Sequence, residues 1–201
     1  MYIFLLAYSI LGAGLKYVDD AFDEKMFNKK LALIVTPILS IIGAYTMLID
    51  PVSATILFAI LCGVLIKGKV DNYAFFGGLV LVITLVFLAG IDFLFLPLII
   101  LAAAAVLDEI GNDYIDKKRE ELNENKFINK FAIYFFGHRW IMKVVILFLA
   151  SLAIVPVYFF IAMIFFDYAY ISVGLYTQAK KGTTNSAVLK KALTKVGLIF
   201  K

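Results

Sequence analysis

Apolar positions in this chain gather into long blocks, at roughly 1–18, 31–49, 52–66, 73–89, 92–107, 140–155 and 157–177, with polar positions confined to the segments between them. A helix crosses the hydrocarbon of a bilayer with about 20 mostly apolar residues, so the blocks predict seven spanning helices. The shorter blocks need tilt or local thinning of the bilayer to make up the difference. Asp50-Pro51, Gly90-Ile91-Asp92 and Val155-Pro156 mark turns, and Pro156 divides residues 140–177 into two helices. Pro37 and Pro97 fall inside blocks and predict kinks fitted by packing, and Gly77-Gly78 predicts a close helix contact.

Charge orients these helices. All 19 Lys and Arg lie in or beside the connections after the first, third and fifth blocks or in the C-terminal tail, and the opposite connections contain none. This positive-inside pattern predicts an N-terminus outside and a C-terminus in the cytoplasm, whereas six spans would strand the basic tail outside. With 63% hydrophobic and only 17% charged residues, the chain has more apolar surface than one soluble core hides. The expected class is therefore an all-α polytopic membrane protein, multi-pass in the cell membrane. The first block ends without a small-residue cleavage pattern, which predicts a retained helix. A lone Cys62 excludes an internal disulfide, and a lone His138 excludes a multi-histidine site. Any metal is then held by oxygen, which points to Mg²⁺. No nucleic-acid partner is expected.

A repeat runs through the same pattern. The segment Tyr17-Val18-Asp19-Asp20-Ala21-Phe22-Asp23-Glu24-Lys25 matches Ile110-Gly111-Asn112-Asp113-Tyr114-Ile115-Asp116-Lys117-Lys118, with Asp20 over Asp113, Asp23 over Asp116 and Lys25 over Lys118. Further on, Leu48-Ile49-Asp50-Pro51-Val52 resembles Ala153-Ile154-Val155-Pro156-Val157, the offset growing from 93 to 105 across a longer second loop. The expected organisation is one membrane domain over 1–178: repeat one at 1–69, a linking helix at 70–90 and repeat two at 91–178. A basic amphipathic tail at 179–201 follows, suited to anionic headgroups.

Carboxylates near hydrocarbon are expensive unless they have a use. Asp19 and Asp23 stand four apart, as do Asp108, Asn112 and Asp116, so each set shares one helix face. Two such sets facing each other across a bundle can hold two Mg²⁺ ions with a diphosphate between them, because Mg²⁺ binds through few carboxylates plus substrate phosphates. Lys25, Lys118, Arg119 and Arg139 stand near enough in sequence to neutralise the phosphate oxygens.

Asp19-Asp20-Ala21-Phe22-Asp23 has the DDxxD form, and Asn112-Asp113-Tyr114-Ile115-Asp116-Lys117-Lys118-Arg119-Glu120 resembles the NDxxDxxxD motif of the UbiA superfamily of intramembrane prenyltransferases, with Glu in the last place. That family has nine helices and two Asp-rich cytoplasmic segments four helices apart. The two segments here are also four helices apart, so the chain is similar to that fold without its first and last helices. The motif order is the reverse of the family's usual one, and Phe27 stands at the spacing of the first motif's fourth acid. The resemblance implies Mg²⁺-dependent transfer of a prenyl group from a prenyl diphosphate to a lipophilic acceptor. It implies Asp19, Asp23, Asn112 and Asp116 as catalytic residues, and it adds Asp20, Asp113 and Glu120 to the metal ligands.

Two other classes stay open. Parallel three-helix repeats with a linking helix also build small transporters and channels, and a prenyltransferase fold can act as a non-catalytic scaffold. Asp167, in the middle of the last block, is an intramembrane acid and so a functional candidate, with no partner evident from sequence. His138-Arg139-Trp140 reads as an interface anchor, and residues 117–139 as a charged then aromatic loop, helical in part, lying in the interface. Monomer and homo-oligomer are both left open.

Overall fold

The structure, a computed structural model, describes residues 1–68, 70, 72–118 and 126–180, with the side chains of Asp116 and Lys180 outside that description. All elements among these residues are helices: α1 (Tyr2–Phe22), α2 (Lys29–Leu48), α3 (Pro51–Ile66), α4 (Tyr73–Ala89), α5 (Phe95–Lys118), α6 (Phe127–Gly137), α7 (Trp140–Ser151) and α8 (Tyr158–Lys180). Local sequence explains several ends. Asn28, Asp50 and Asn72 accept backbone N–H groups in the first turns of α2, α3 and α4, and Pro51 takes a first-turn position where no N–H is needed. Gly90 closes α4 at φ 60°, a left-handed cap that glycine adopts without strain.

The apolar blocks correspond to α1–α5, α7 and α8, and the expected loop helix is α6. The block expected over 140–155 stops early, because α7 ends at Ser151 and the chain turns through Ala153 at φ 57°. By length and composition α1, α2, α5 and α8 can each cross a membrane, and α6 with α7, bent by 75° at their junction, is long and apolar enough only when taken together, as a broken span or a re-entrant loop. The remaining α3 and α4 are shorter apolar helices.

Helix α1 packs along α8 and α2, α3 along α5 and α2, and α4 along α2, while α7 rests on α5 and α8. The outside is greasy, with Leu6, Ile34, Ile41, Phe87 and Phe148 exposed, whereas Asp20, Asp108, Glu109 and Lys143 are buried. That inverts the pattern of a soluble protein, in which large apolar patches are hidden and charges face water. The chain is a helical membrane protein.

Glycine sets the closest helix approach. A Cβ on Gly12 would lie 2.1 Å from the carbonyl oxygen of Phe166, so α1 and α8 meet backbone to side-chain-free backbone. A Cβ on Gly111 would also fall 2.1 Å from an atom, but that atom belongs to the Phe136 ring, which can turn aside. Gly12→Ala is therefore expected to lose about 3 kcal/mol and Gly111→Ala about 1 kcal/mol, the range for overpacked sites. Thermal unfolding of the two variants in one detergent checks the order, and equal losses contradict it.

Candidate functional site

The helices line a partly open cavity of about 270 Å³. Its shaft is apolar, built from Leu11, Leu15 and Val18 of α1, Leu39 and Met47 of α2, Leu57 and Leu61 of α3, Val82 of α4 and Met163 of α8. From Thr36 to Met47 the α2 wall alone covers about 16 Å at the helical rise of 1.5 Å per residue. One end is different: Asp19, Asp108, Glu109, Arg139, Asp167 and Tyr170 line it. An apolar shaft with a charged mouth suits a molecule with a hydrocarbon chain and a polar head.

The mouth is held by ion pairs from four helices and the α6–α7 junction. Lys16 donates to Asp19 at 2.7 Å and pairs with the buried Asp20 at 2.9 Å. Asp20 also accepts the Thr177 hydroxyl at 2.5 Å, which ties α1 to α8. The Tyr170 hydroxyl reaches Asp19 at 3.5 Å, and the Tyr170 ring lies under both Lys16 (5.3 Å) and Arg139 (5.8 Å). Arg139 in turn pairs with Glu109 at 3.0 Å. A connected path thus runs from Asp19 on α1, through Tyr170 and Arg139, to Glu109 on α5.

Two further contacts build the junction that presents Arg139. Asp108, only 2% exposed, accepts the N–H groups of Ile141 (2.9 Å) and Met142 (2.8 Å), so a carboxylate from α5 caps the start of α7. That satisfies two end-of-helix donors and places a negative charge at the positive end of the helix dipole. Lys143 pairs with Asp167 of α8 and donates to the carbonyls of His138 and Arg139. Arg139 itself is left-handed, at φ 49°, which costs roughly 1–2 kcal/mol for a residue with a Cβ. The Asp108 and Lys143 contacts on either side hold it there.

Of the residues singled out from the sequence, Asp19, Asp108 and Arg139 line the cavity, as does Asp167. Asp20 lies beside it, turned to Lys16 and Thr177. Asp113, which does not line the cavity, pairs with Lys67 at 3.1 Å. Asp23 and Lys25 are exposed, Asn112 is half-buried off the cavity, and Lys118 lies over the Tyr114 ring at 5.2 Å. Arg119, Glu120 and the Asp116 side chain lie outside the described residues. The second acidic segment therefore reaches the cavity through Asp108 and Glu109, one turn before its NDxxD-like motif. Lys16, Glu109, Lys143, Tyr170 and Thr177 were not selected as candidates from the sequence. For Lys16, Glu109 and Lys143 the signal was available, since each is an ionisable residue within or at the edge of an apolar block.

Among the described residues no three His, Cys, Asp or Glu side chains converge to form a ready metal cage. Mg²⁺ more often uses one or two carboxylates and fills its remaining positions with water and phosphate oxygens. Asp19, which borders both the cavity and its mouth, fits that shared mode. The charge balance fits it as well. Asp19, Asp20, Asp108, Glu109 and Asp167 stand against Lys16, Arg139 and Lys143, leaving two formal negative charges among these residues.

No protein-family model, curated protein or solved structure matches the chain. The fold and the cavity define its class, a helical membrane protein with an amphipathic internal site.

Proposed function

We propose that the protein binds a prenyl diphosphate inside the membrane and transfers the prenyl group to a lipophilic acceptor. The observation that carries the binding step is the cavity, whose apolar shaft ends at Asp19, Arg139 and Tyr170. The transfer step rests on the likeness of the two acidic segments to UbiA-type motifs. The architecture proposed with it is seven spans in two three-helix repeats joined by α4, the basic ends cytoplasmic and the N-terminus outside. Its support is that three contacts have counterparts, α1 on α2 with α5 on α7, α2 on α3 with α7 on α8, and α1 on α8 with α5 on α3, whereas α4 packs on α2 alone of the two second helices. The offset of 93 that relates Lys25 to Lys118 also relates Gly12 to Ala105, and these small residues stand where α1 nears α8 and α5 nears α3.

In this reading the prenyl chain fills the shaft and the diphosphate meets Arg139 and Lys16 at the mouth. Their charges stabilise negative charge on the leaving group as the allylic carbon–oxygen bond breaks, and the apolar walls keep water from the carbocation. A mouth with surplus negative charge cannot take a diphosphate on its own cations alone. Asp19 would hold Mg²⁺ there, and the ion would supply the missing positive charge.

Purified protein in nanodiscs is expected to bind geranylgeranyl diphosphate with Mg²⁺ and to lose affinity by about ten-fold or more in EDTA, or at least 1.4 kcal/mol. Gly43→Phe is expected to abolish binding, because Gly43 lines the shaft and a Cβ there meets only the Leu11 side chain, at 3.8 Å. Diphosphate release on adding a lipophilic alcohol or quinol acceptor reads the transfer step. Unchanged affinity in both Gly43→Phe and Asp19→Ala overturns the assignment of the cavity.

A further inference from the structure

Helix α6 adjoins the cavity mouth without lining it: Arg139, two residues beyond its end, faces the cavity, and none of residues 126–137 does. The helix packs on α5, where the Phe136 ring covers Gly111, and it buries Ile133. On the side away from Ile133, Phe127, Phe131, Phe135, Ile128 and Ala132 fall within an arc of about 140° of the helix. Phe127 is 82% exposed, Ile128 66% and Phe131 51%. Lys130 borders this arc, one turn after Lys126 at the helix start, and both lysines are exposed. We propose that α6 is an in-plane docking helix, whose apolar arc sinks into the leaflet at the mouth while Lys126 and Lys130 take the phosphates of anionic phospholipids. What this adds to an interfacial loop is the face that sinks, the tilt and the lipid selected. It holds whatever the cavity binds.

Direction, level and composition all favour this placement. Helix α6 is bent by 75° from α7, which rests on α5 and α8. At that angle its 11 residues advance only about 4 Å along α7, so α6 adds almost nothing to a crossing and runs across the bundle. Its junction with α7 carries Arg139 and is capped by Asp108, both of which line the charged mouth, so α6 leaves the bundle at the height where headgroups begin. An exposed arc without a polar side chain is costly in water and gains by burial in the interface. Lysines at its border lay their stems on hydrocarbon and raise their charges to the phosphates. A cover over the mouth would turn its aromatic residues onto the cavity, yet Phe127 and Phe131 are exposed. Because Arg139 follows α6 so closely, docking anchors the arginine's turn to the bilayer surface as well as to α5 and α8.

Two measurements on the full chain test this. Ile128→Cys, Lys130→Cys and Phe131→Cys, each in a Cys62→Ala background, carry a nitroxide label in vesicles of phosphatidylcholine and phosphatidylglycerol. The labels at 128 and 131 are expected to collide with oxygen and to be shielded from a water-soluble nickel chelate, while the label at 130 meets the chelate. Nickel contact at 128 and 131 places the arc in water, and exclusion of both reagents places it under a partner protein or a second copy. Either result overturns the proposal. In the second measurement, phosphatidylglycerol and phosphatidylcholine bearing the same photoreactive group near the headgroup are compared for crosslinking to residues 126–131. Phosphatidylglycerol is expected to be favoured by about ten-fold or more, since one basic side chain at an anionic surface is worth roughly five-fold. The preference is expected to vanish in Lys126→Gln, Lys130→Gln, whose exposed positions leave folding intact. Equal crosslinking of the two lipids to the unsubstituted chain overturns the choice of headgroup, as does a preference that survives the double substitution.

Discussion

Lys143→Met, with Asp167 left in place, is expected to lose about 3–5 kcal/mol of stability, the range for breaking one side of a buried ion pair. Lys143 is almost wholly buried and has two roles: it pairs with Asp167 across α7 and α8, and it donates to the carbonyls of His138 and Arg139 where the chain turns between α6 and α7. Removing the ammonium leaves the Asp167 carboxylate without its ion-pair partner and takes a donor from two carbonyls. The double variant Lys143→Met, Asp167→Asn is expected to recover part of the loss, since no lone charge is then buried. Recovery stays incomplete because the two carbonyls still lack a donor. Reversible unfolding in detergent measures all three proteins, and a double variant no better than Lys143→Met shows that the pair is not the source of the loss.

Asp108→Ala should be the next most damaging change, at about 2–4 kcal/mol, from the loss of a cap and of two hydrogen bonds to a charged acceptor. For a domain of this size each kcal/mol moves the melting temperature by about 2–4 °C. Asp108→Asn keeps one acceptor oxygen and is expected to lose about half as much. The functional consequence goes beyond stability. Once the start of α7 is released, Arg139 has less reason to hold a left-handed conformation and to stand beside Glu109 and Tyr170. Geranylgeranyl diphosphate affinity in a folded Asp108→Asn sample is therefore expected to fall together with that of Arg139→Gln. Full affinity in Asp108→Asn would mean that the cap does not position the arginine.

Some of this was written locally in the chain. Continuous apolar blocks produced the helices, and Asn28, Asp50-Pro51, Asn72 and Gly90 ended them where their own backbone chemistry dictates. The acidic segments reach the cavity through Asp19, Asp108 and Glu109, and Asp19, Asp108 and Arg139 were visible as candidates because charge beside hydrocarbon is conspicuous. The end of α7 was missed because the turn at Ala153 requires a positive φ that nothing in Leu152-Ala153-Ile154 announces.

Which charges turn inward was decided only by packing. Asp108, Asn112 and Asp116 share a helix face, yet at 1.5 Å per residue they climb about 12 Å along α5, so the face lies beside the cavity only at its first member. Glu109, roughly 100° around the same helix, enters the mouth because Arg139 meets it there. Tyr170 and Thr177 come from the far end of the chain and reach Asp19 and Asp20 only because α8 lies along α1 at Gly12. The sequence by itself determined a helical membrane protein with most of its acids gathered at one end. The tertiary structure decided which of those acids face a cavity, because that depends on the height and rotation of each helix against its neighbours, and no local pattern encodes either.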